Sequence, residues 1–385
     1  MIEKYYNGVI EQVAGGIGNV EHNSILVRYS NDFSIWDLES VNHYKDQTDI
    51  FFTCHEFSYN KIAEAYEPYL GLIRQMFHKY CSGTLEEFME ECDVYKLQRP
   101  VFESYFEKGF CERTEQILID EVEYEQERMH SSIVTMLQKL SEICPIVIVL
   151  NRFQLASKST MQLTNRLLQT ENKNIGIVLG VNDVQSIPEF AHEEWDAICE
   201  SMDDRNMVYH IGNAGRNMEP DVMDYYSDYE SDDGYRKLNN LVYFLDFDQA
   251  DHHLSKIERR IKFDNFTISE KKHYQLLLLQ IMVSVLQRDI AKALESCEDL
   301  EKLQDQEKEG AFYYNFWMAT SYMYLGKLEE AMIYVQKAKE CGEALGDDFL
   351  VFRAELLKAQ NQMSGWCNIF FCAQDIEISD KLIEK

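Results

Sequence analysis

A parallel α/β sheet unit followed by an all-helical unit is the fold class predicted by this 385-residue sequence. Three observations carry the prediction. Within residues 1–215, five short apolar runs rich in β-branched residues alternate with longer amphipathic stretches, as strands and crossover helices do. From 269 to 385 the pattern is continuously helical, and small residues recur where helices would touch. Between these parts lies a connecting segment at 216–268. Its residues 217–235 hold seven acids and no base, the composition of a solvated loop.

Taken in order, Gly15-Gly16-Ile17-Gly18-Asn19 has no strand before it and no lysine, so it reads as a turn rather than a phosphate loop. It leads into the first expected strand at 25–27, and further strands are expected at 50–53, 146–150, 175–179 and 207–211. Amphipathic segments at 60–80 and 112–143 fill the interval between the second and third. Pro145-Ile146-Val147-Ile148-Val149-Leu150 is apolar throughout, the mark of a strand covered on both faces of a parallel sheet. Asn151-Arg152-Phe153-Gln154-Leu155-Ala156-Ser157-Lys158-Ser159-Thr160 then leads into a helix with Met161, Leu163, Leu167 and Leu168 facing inward.

This last strand–loop–helix stretch resembles the second nucleotide motif of the signal-transduction ATPases with numerous domains, an AAA-like class of P-loop nucleotide hydrolases. In that family the strand ends in two acids that hold magnesium and orient water. Here Asn151 and Arg152 occupy those positions. The first motif departs in the same way. A phosphate loop after the strand Ser24-Ile25-Leu26-Val27 needs G-x-x-x-x-G-K-[ST], because glycines let backbone N–H groups close around phosphate. The resemblance places the glycines at Tyr29 and Ser34, the lysine at Ile35 and the hydroxyl residue at Trp36. Losing one charged hydrogen-bond partner costs about 1.5–3 kcal/mol, and here several are missing together. The run from Phe57 to Ile73 is similar to the family's helix after its second strand. Ile175 to Asn182 is similar to its next strand, whose polar tip senses nucleotide. The resemblance spans residues 1–215 and implies an inactive, pseudo-ATPase domain.

In the helical part, Leu325-Gly326-Lys327-Leu328-Glu329-Glu330-Ala331, with Tyr334 and Ala338 after it, is similar to a tetratricopeptide repeat. Ala319, Ala331 and Ala338 take the small-residue positions and Tyr322 fills the gap beside them. Ala293 stands 38 residues before Ala331, and Gly365 stands 39 after Gly326, so weaker copies flank the best one. Asn315 replaces the repeat's tryptophan and Glu343 its last-loop proline. Such repeats bind other proteins along their inner helices. Of the stretch 311–324, Asn315 and Met318 are the expected groove residues, because Ala319 and Tyr322 are needed for packing.

Composition narrows the function classes. The net charge of -30 and the absence of any Lys/Arg run argue against direct nucleic-acid binding. No run approaches the roughly 20 apolar residues of a membrane span, and the N-terminus has no apolar signal core. Ten cysteines stand singly without a C-x-x-C pair, which fits reduced thiols in a cytoplasm and leaves no zinc pattern. Asp228, Glu230 and Asp232 alternate as in a calcium loop, but Gly234 comes late and Asn239 stands where a glutamate is needed. His252-His253 and His192 lack the i, i+4 spacing of a helical zinc site and read as solvated helix surface. The acids from Glu115 to Glu127 likewise read as a charged helix flank. No metal and no cofactor are expected.

The resulting expectation is a cytoplasmic signalling or regulatory protein, of the kind found in bacterial regulators and tetratricopeptide-containing diguanylate cyclases. It would recognise protein partners through its repeats, and would be the N-terminal part of a larger regulator. Two rivals stand beside it. One is an active ATP-binding enzyme in which Arg28, Arg152 or Lys158 replaces the lysine. The other is a plain adaptor scaffold.

Overall fold

The computed structural model describes residues 2–19, 23–29, 35–45, 47–58, 61–111, 122–170, 172–183, 187–204, 207–211, 228–229, 231–264 and 266–364. These fall into two compact units, one within Met1–Gln116 and Glu121–Ala250 and the other within Asp251–Lys385.

The first unit is mixed α/β. Its strands are β1 (Ser24–Tyr29), β2 (Phe51–Glu56), β3 (Ile146–Asn151), β4 (Ile175–Asn182) and β5 (Val208–Ile211). They form one sheet in the order β2-β3-β4-β1-β5, and every neighbouring pair is parallel. All five expected strands are present, most extended by one to three residues at their C-terminal ends. β3 and β4 are buried along their whole length, as two-sided cover requires.

Helices α1 (Ile2–Gly16) and α2 (Glu39–Lys45) cover one face of the sheet. Tyr6, Ile10 and Val13 recur on α1 at helical spacing. They pack with Val27, Val147, Val149 and Val178 in one buried cluster. The chain between β2 and β3 holds α3 (Tyr69–Tyr80), α4 (Leu85–Glu91), α5 (Arg99–Lys108) and α6 (Val122–Ile143). After β3 come α7 (Lys158–Gln169) and, after β4, α8 (His192–Asp204). Gln138 of α6 and Leu167 of α7 line a small cavity with Ile175 and Ile177, so these two helices lie over the other face. α8 packs against α7. The segment expected to be helical over 60–80 enters its helix only at Tyr69, because Pro68 bars an earlier start. Within the acidic stretch, Glu125 is buried, with both its backbone and side-chain oxygens taking hydrogen bonds from Gln98. Residues 112–121 lie outside the described residues.

The connecting segment expected at 216–268 is corrected. Residues 212–227 lie outside the described residues, but beyond them stand two helices, α9 (Asp232–Tyr243) and α10 (Phe247–Phe263). The division between the units falls inside α10. The expectation that both members of His252-His253 are solvated fails for His253, which is fully buried. Burial, aided by His252 and Lys256, holds its pKa well below the usual value, so the ring is neutral.

The second unit continues with α11 (Glu270–Leu286), α12 (Ile290–Glu301), α13 (Gly310–Tyr324), α14 (Leu328–Leu345) and α15 (Asp348–Ser364). From α11 to α15 each helix packs on the next, and α11, α13 and α15 also pack in succession.

One turn occurs four times through these helices, at Leu245, Arg288, Gly326 and Gly346, and the first three share a further feature. At 325–327, Gly326 sits at φ 72, with Gly326 N–H bonded to the Met323 carbonyl and Lys327 N–H to that of Tyr322. At 287–289, Arg288 takes φ 66, with Arg288 N–H on Val285 O and Asp289 N–H on Ser284 O. At 244–246, Leu245 takes φ 68, with Leu245 N–H on Val242 O and Asp246 N–H on Leu241 O. This is the left-handed helix stop in which the orphan carbonyls of the last turn are satisfied. Five residues after the left-handed position in the first three copies comes a fully buried alanine, Ala250, Ala293 or Ala331, whereas Val351 follows Gly346. At the second and third of these turns the two helices pack on each other, and an alanine there lets them approach closely.

Ala331→Leu is therefore expected to overpack the third hairpin and destabilise it by about 1–3 kcal/mol. A thermal melt followed by circular dichroism checks this; a midpoint equal to the parent's would contradict the close contact. Among the described residues, no helix is long and apolar enough to cross a membrane.

Candidate functional site

In an open parallel sheet, ligands bind at the carboxyl ends of strands where neighbouring connections leave on opposite faces. β1 and β4 are such neighbours. The chain leaves β1 through α2 on one face and leaves β4 through α8, which packs with α7 on the other. Tyr29, Asn151 and Asn182 are the last residues of β1, β3 and β4, so the sheet gathers at one edge the two stretches expected to correspond to nucleotide motifs.

Protein side chains fill this crevice. Tyr29 Oη donates to Asn151 Oδ1 at 2.7 Å. Tyr6 reaches over from α1, its ring edge-on to that of Tyr29 with centroids 6.4 Å apart. Tyr6 and Asn151 meet over Gly180 of β4, where a Cβ would stand 2.2 Å from Tyr6 Oη and 2.6 Å from Asn151 Oδ1. Glycine is required there for that reason. Tyr6 and Asn151 are fully buried, Tyr29 and Asn182 nearly so. Burial, with Tyr29 next in weight, pushes the Tyr6 hydroxyl well above its usual pKa, so it stays protonated. Gln154 closes the floor by donating to the Asn182 carbonyl at 3.2 Å. Asn151 Nδ2 is buried and finds no acceptor among the described residues.

Of the other positions expected to match a phosphate loop, those among the described residues offer no phosphate ligand. Ile35 is fully buried at the start of a short helical turn, Ile35–Asp37, and Trp36 projects outward at 49 % exposure. Ser34 lies outside the described residues. Arg152 takes the left-handed conformation, φ 53, directly after β3, and its guanidinium lies 3.5 Å from Glu56. The three cations that could replace the lysine are all ion-paired. Arg28 holds Asp183 at 2.7 Å, Arg152 holds Glu56, and Lys158 holds Asp248 and, at 3.5 Å, Glu194.

The N-terminus of α7 is also occupied. Ser157 accepts from Thr160 N–H at 3.1 Å, Asp246 from Ser159 N–H at 2.8 Å and Gln249 from Lys158 N–H at 3.3 Å. A helix start that would otherwise welcome an anion is thus satisfied from within the unit.

The groove expected at Asn315 and Met318 is corrected. Asn315 is 8 % exposed and donates to the Ala311 carbonyl at 2.7 Å; Met318 is 7 % exposed within the core of the second unit. Neither side chain is presented to a partner. The packing expectations at Ala319, Ala331 and Ala338 agree with full burial of all three.

Sequence reasoning missed Tyr6 and Gly180 as parts of the crevice. The signal was present in the helical spacing of Tyr6, Ile10 and Val13, and in the glycines that interrupt Ile175-Gly176-Ile177-Val178-Leu179-Gly180. No protein-family model matches the chain, and no curated protein matches it in sequence. Among the described residues no three His, Cys, Asp or Glu side chains are grouped to hold a metal ion.

Proposed function

We propose that this chain is a cytoplasmic regulatory protein that acts by binding other proteins, combining an inactive nucleotide-hydrolase-like unit with tetratricopeptide-like hairpins. The observation that carries this reading is the Tyr29–Asn151 hydrogen bond under Tyr6. Where a hydrolase would hold phosphate, magnesium and water, the side chains of this chain are packed and uncharged. Phosphoryl transfer depends almost wholly on positioned cations and electrostatic support, and the nearby cations are bound to carboxylates. The parallel sheet joining both altered motifs at one switch point supports the resemblance to the signal-transduction ATPases. The recurring turn with its buried alanine supports the repeat reading. A net charge of -30 favours basic partners over nucleic acid.

The expected result with magnesium present is no phosphate release from ATP or GTP and no shift in melting temperature on adding either nucleotide. Turnover that disappears in Arg152→Ala or Lys158→Ala would overturn the reading in favour of an active enzyme.

A further inference from the structure

Away from the switch point, β2 is an edge strand, the first in the order β2-β3-β4-β1-β5. Its backbone groups alternate in direction. Phe51 N–H bonds to Pro145 O and Phe57 N–H to Asn151 O, so the odd-numbered residues face β3. The N–H and C=O of Phe52 and Cys54 point the other way, where the sheet has no further strand. Proteins commonly blunt such an edge with proline, lysine or a bulge. Phe51-Phe52-Thr53-Cys54-His55-Glu56 holds no proline or lysine, and its register with β3 is unbroken. All six residues are half-buried.

Charge runs unevenly along this edge, and in the same sense on both faces. Side chains alternate across a sheet, so Phe52, Cys54 and Glu56 share one face and Phe51, Thr53 and His55 the other. On the first face, α2 lays Tyr44 on Phe52, centroids 5.8 Å apart, and ends at the exposed Lys45. Burial pushes the Cys54 thiol up to about 12, aided by Glu56 and opposed by Lys45, so both charges act on this residue. On the second face Lys79 lies over the Phe51 ring, 5.7 Å from its centroid, while Glu67 lies 3.5 Å from His55. Lysines therefore flank the start of β2, with Asp49 the acid just before it, and carboxylates flank its end. The cations at that end are already held: Arg152 by Glu56, Arg236 by Glu64 and Lys237 by Asp228.

We propose that β2 pairs antiparallel with β2 of a second copy of this chain, joining the two sheets across a two-fold axis. A strand with cations at one end and carboxylates at the other is complementary to itself in that direction and repels itself in the parallel one. Only outward-facing residues exchange hydrogen bonds, and an axis at Cys54 engages Phe52, Cys54 and Glu56 together. Glu56 of the second copy then stands opposite Phe52, on the face that carries Lys45. His55, with Glu67 beside it, stands opposite Thr53, next to the Phe51 that carries Lys79. The net charge of -30 on each copy opposes association at long range, and salt screens it beyond about 8–10 Å. The proposal does not depend on the pseudo-hydrolase reading: nucleotide turnover would overturn that reading and leave this edge untouched.

The test is sedimentation velocity of the full chain over a dilution series at about 0.15 M salt, with amide hydrogen exchange at both ends of the series. The expected result is a reversible species of twice the 45.3 kDa chain mass. The Phe52 and Cys54 amides should gain protection with concentration, while the Thr53 amide, bonded to β3, stays protected throughout. Cys54→Pro removes an outward N–H and leaves the β3 ladder intact, so it should abolish the dimer. Lys79 is exposed, so Lys79→Glu should fold normally and weaken association about tenfold, since two symmetric contacts are reversed at once. Lys96→Glu makes the same charge change at an exposed site in α4–α5 chain and should leave affinity within about twofold. Should Cys54→Pro lose its circular-dichroism signal, the exchange pattern and the lysine pair decide alone. A monomer at every concentration, equal losses in both lysine variants, a folded Cys54→Pro that still dimerises, or a dimer without added protection at Phe52 and Cys54 would each overturn the proposal.

Discussion

Gly180→Ala is expected to destabilise the first unit by about 2–4 kcal/mol, from overpacking and the disturbed hydrogen bond beneath it. The added methyl would meet Tyr6 Oη at 2.2 Å and Asn151 Oδ1 at 2.6 Å, and both side chains are fully buried. Neither can swing into solvent, so α1 must lift or the Tyr29–Asn151 bond must break. Tyr6→Phe removes the nearer oxygen and leaves Tyr6 Cζ, 3.1 Å from the new methyl, as the closest ring atom. The double variant should therefore cost less than the sum of the singles, by about 1 kcal/mol or more, as contacting residues do. Urea melts of the four proteins measure this directly. Strict additivity, or a neutral Gly180→Ala, would mean that Tyr6 does not occupy the crevice and that space for a ligand exists there.

That crevice shows how far the sequence could be read. The five strands were legible because each is a short β-branched run, and burial on both faces leaves no polar alternation to confuse β3 and β4 with amphipathic helices. The absence of carboxylates at Asn151 and Arg152 was legible too, since residue identity at a strand end is local. What filled the space was not legible, because Tyr6 arrives from α1, far away in sequence, and only the packing brings it over Gly180. The first of the left-handed turns was hidden for a different reason. Its left-handed turn position holds Leu245 where the third copy holds Gly326, so the punctuation that marks the repeat is absent. Asn315 and Met318 failed as groove residues because helix phase shows a face but not its cover. The succession of helices packed on α13 buries positions that a lone helix would leave open.

The same Leu245 turn sets up the second large effect, a contribution of Asp246 to stability that falls as pH rises between about 4 and 6. Asp246 follows Leu245 and is 4 % exposed. Its Oδ2 accepts from Ser159 N–H at 2.8 Å, while Oδ1 has no partner among the described residues. Burial pushes its carboxyl up to about 6, against the opposing pull of the Ser159 hydrogen bonds and of Lys158, whose charge is shared with Asp248. An unfolded aspartate titrates near 3.9. Between the two values the folded chain holds a proton that the unfolded chain has lost, so folding is favoured as pH falls through that window. Above it the carboxylate is ionised in both states, and the folded chain bears a buried charge costing about 2–3 kcal/mol. Asp246→Asn keeps an oxygen for Ser159 N–H and removes the charge. It should therefore be more stable than the parent at pH 8 by about that amount, with the advantage shrinking toward pH 4. Burial also raises the pKa values of Glu64 and Glu67, but both are present in parent and variant and cancel in the difference. Denaturant melts of the two proteins at pH 4, 6 and 8 decide it. A variant weaker than the parent at pH 8 would mean that Lys158 compensates the Asp246 charge in full, and that an ionised carboxylate joins the hairpin turn to the start of α7.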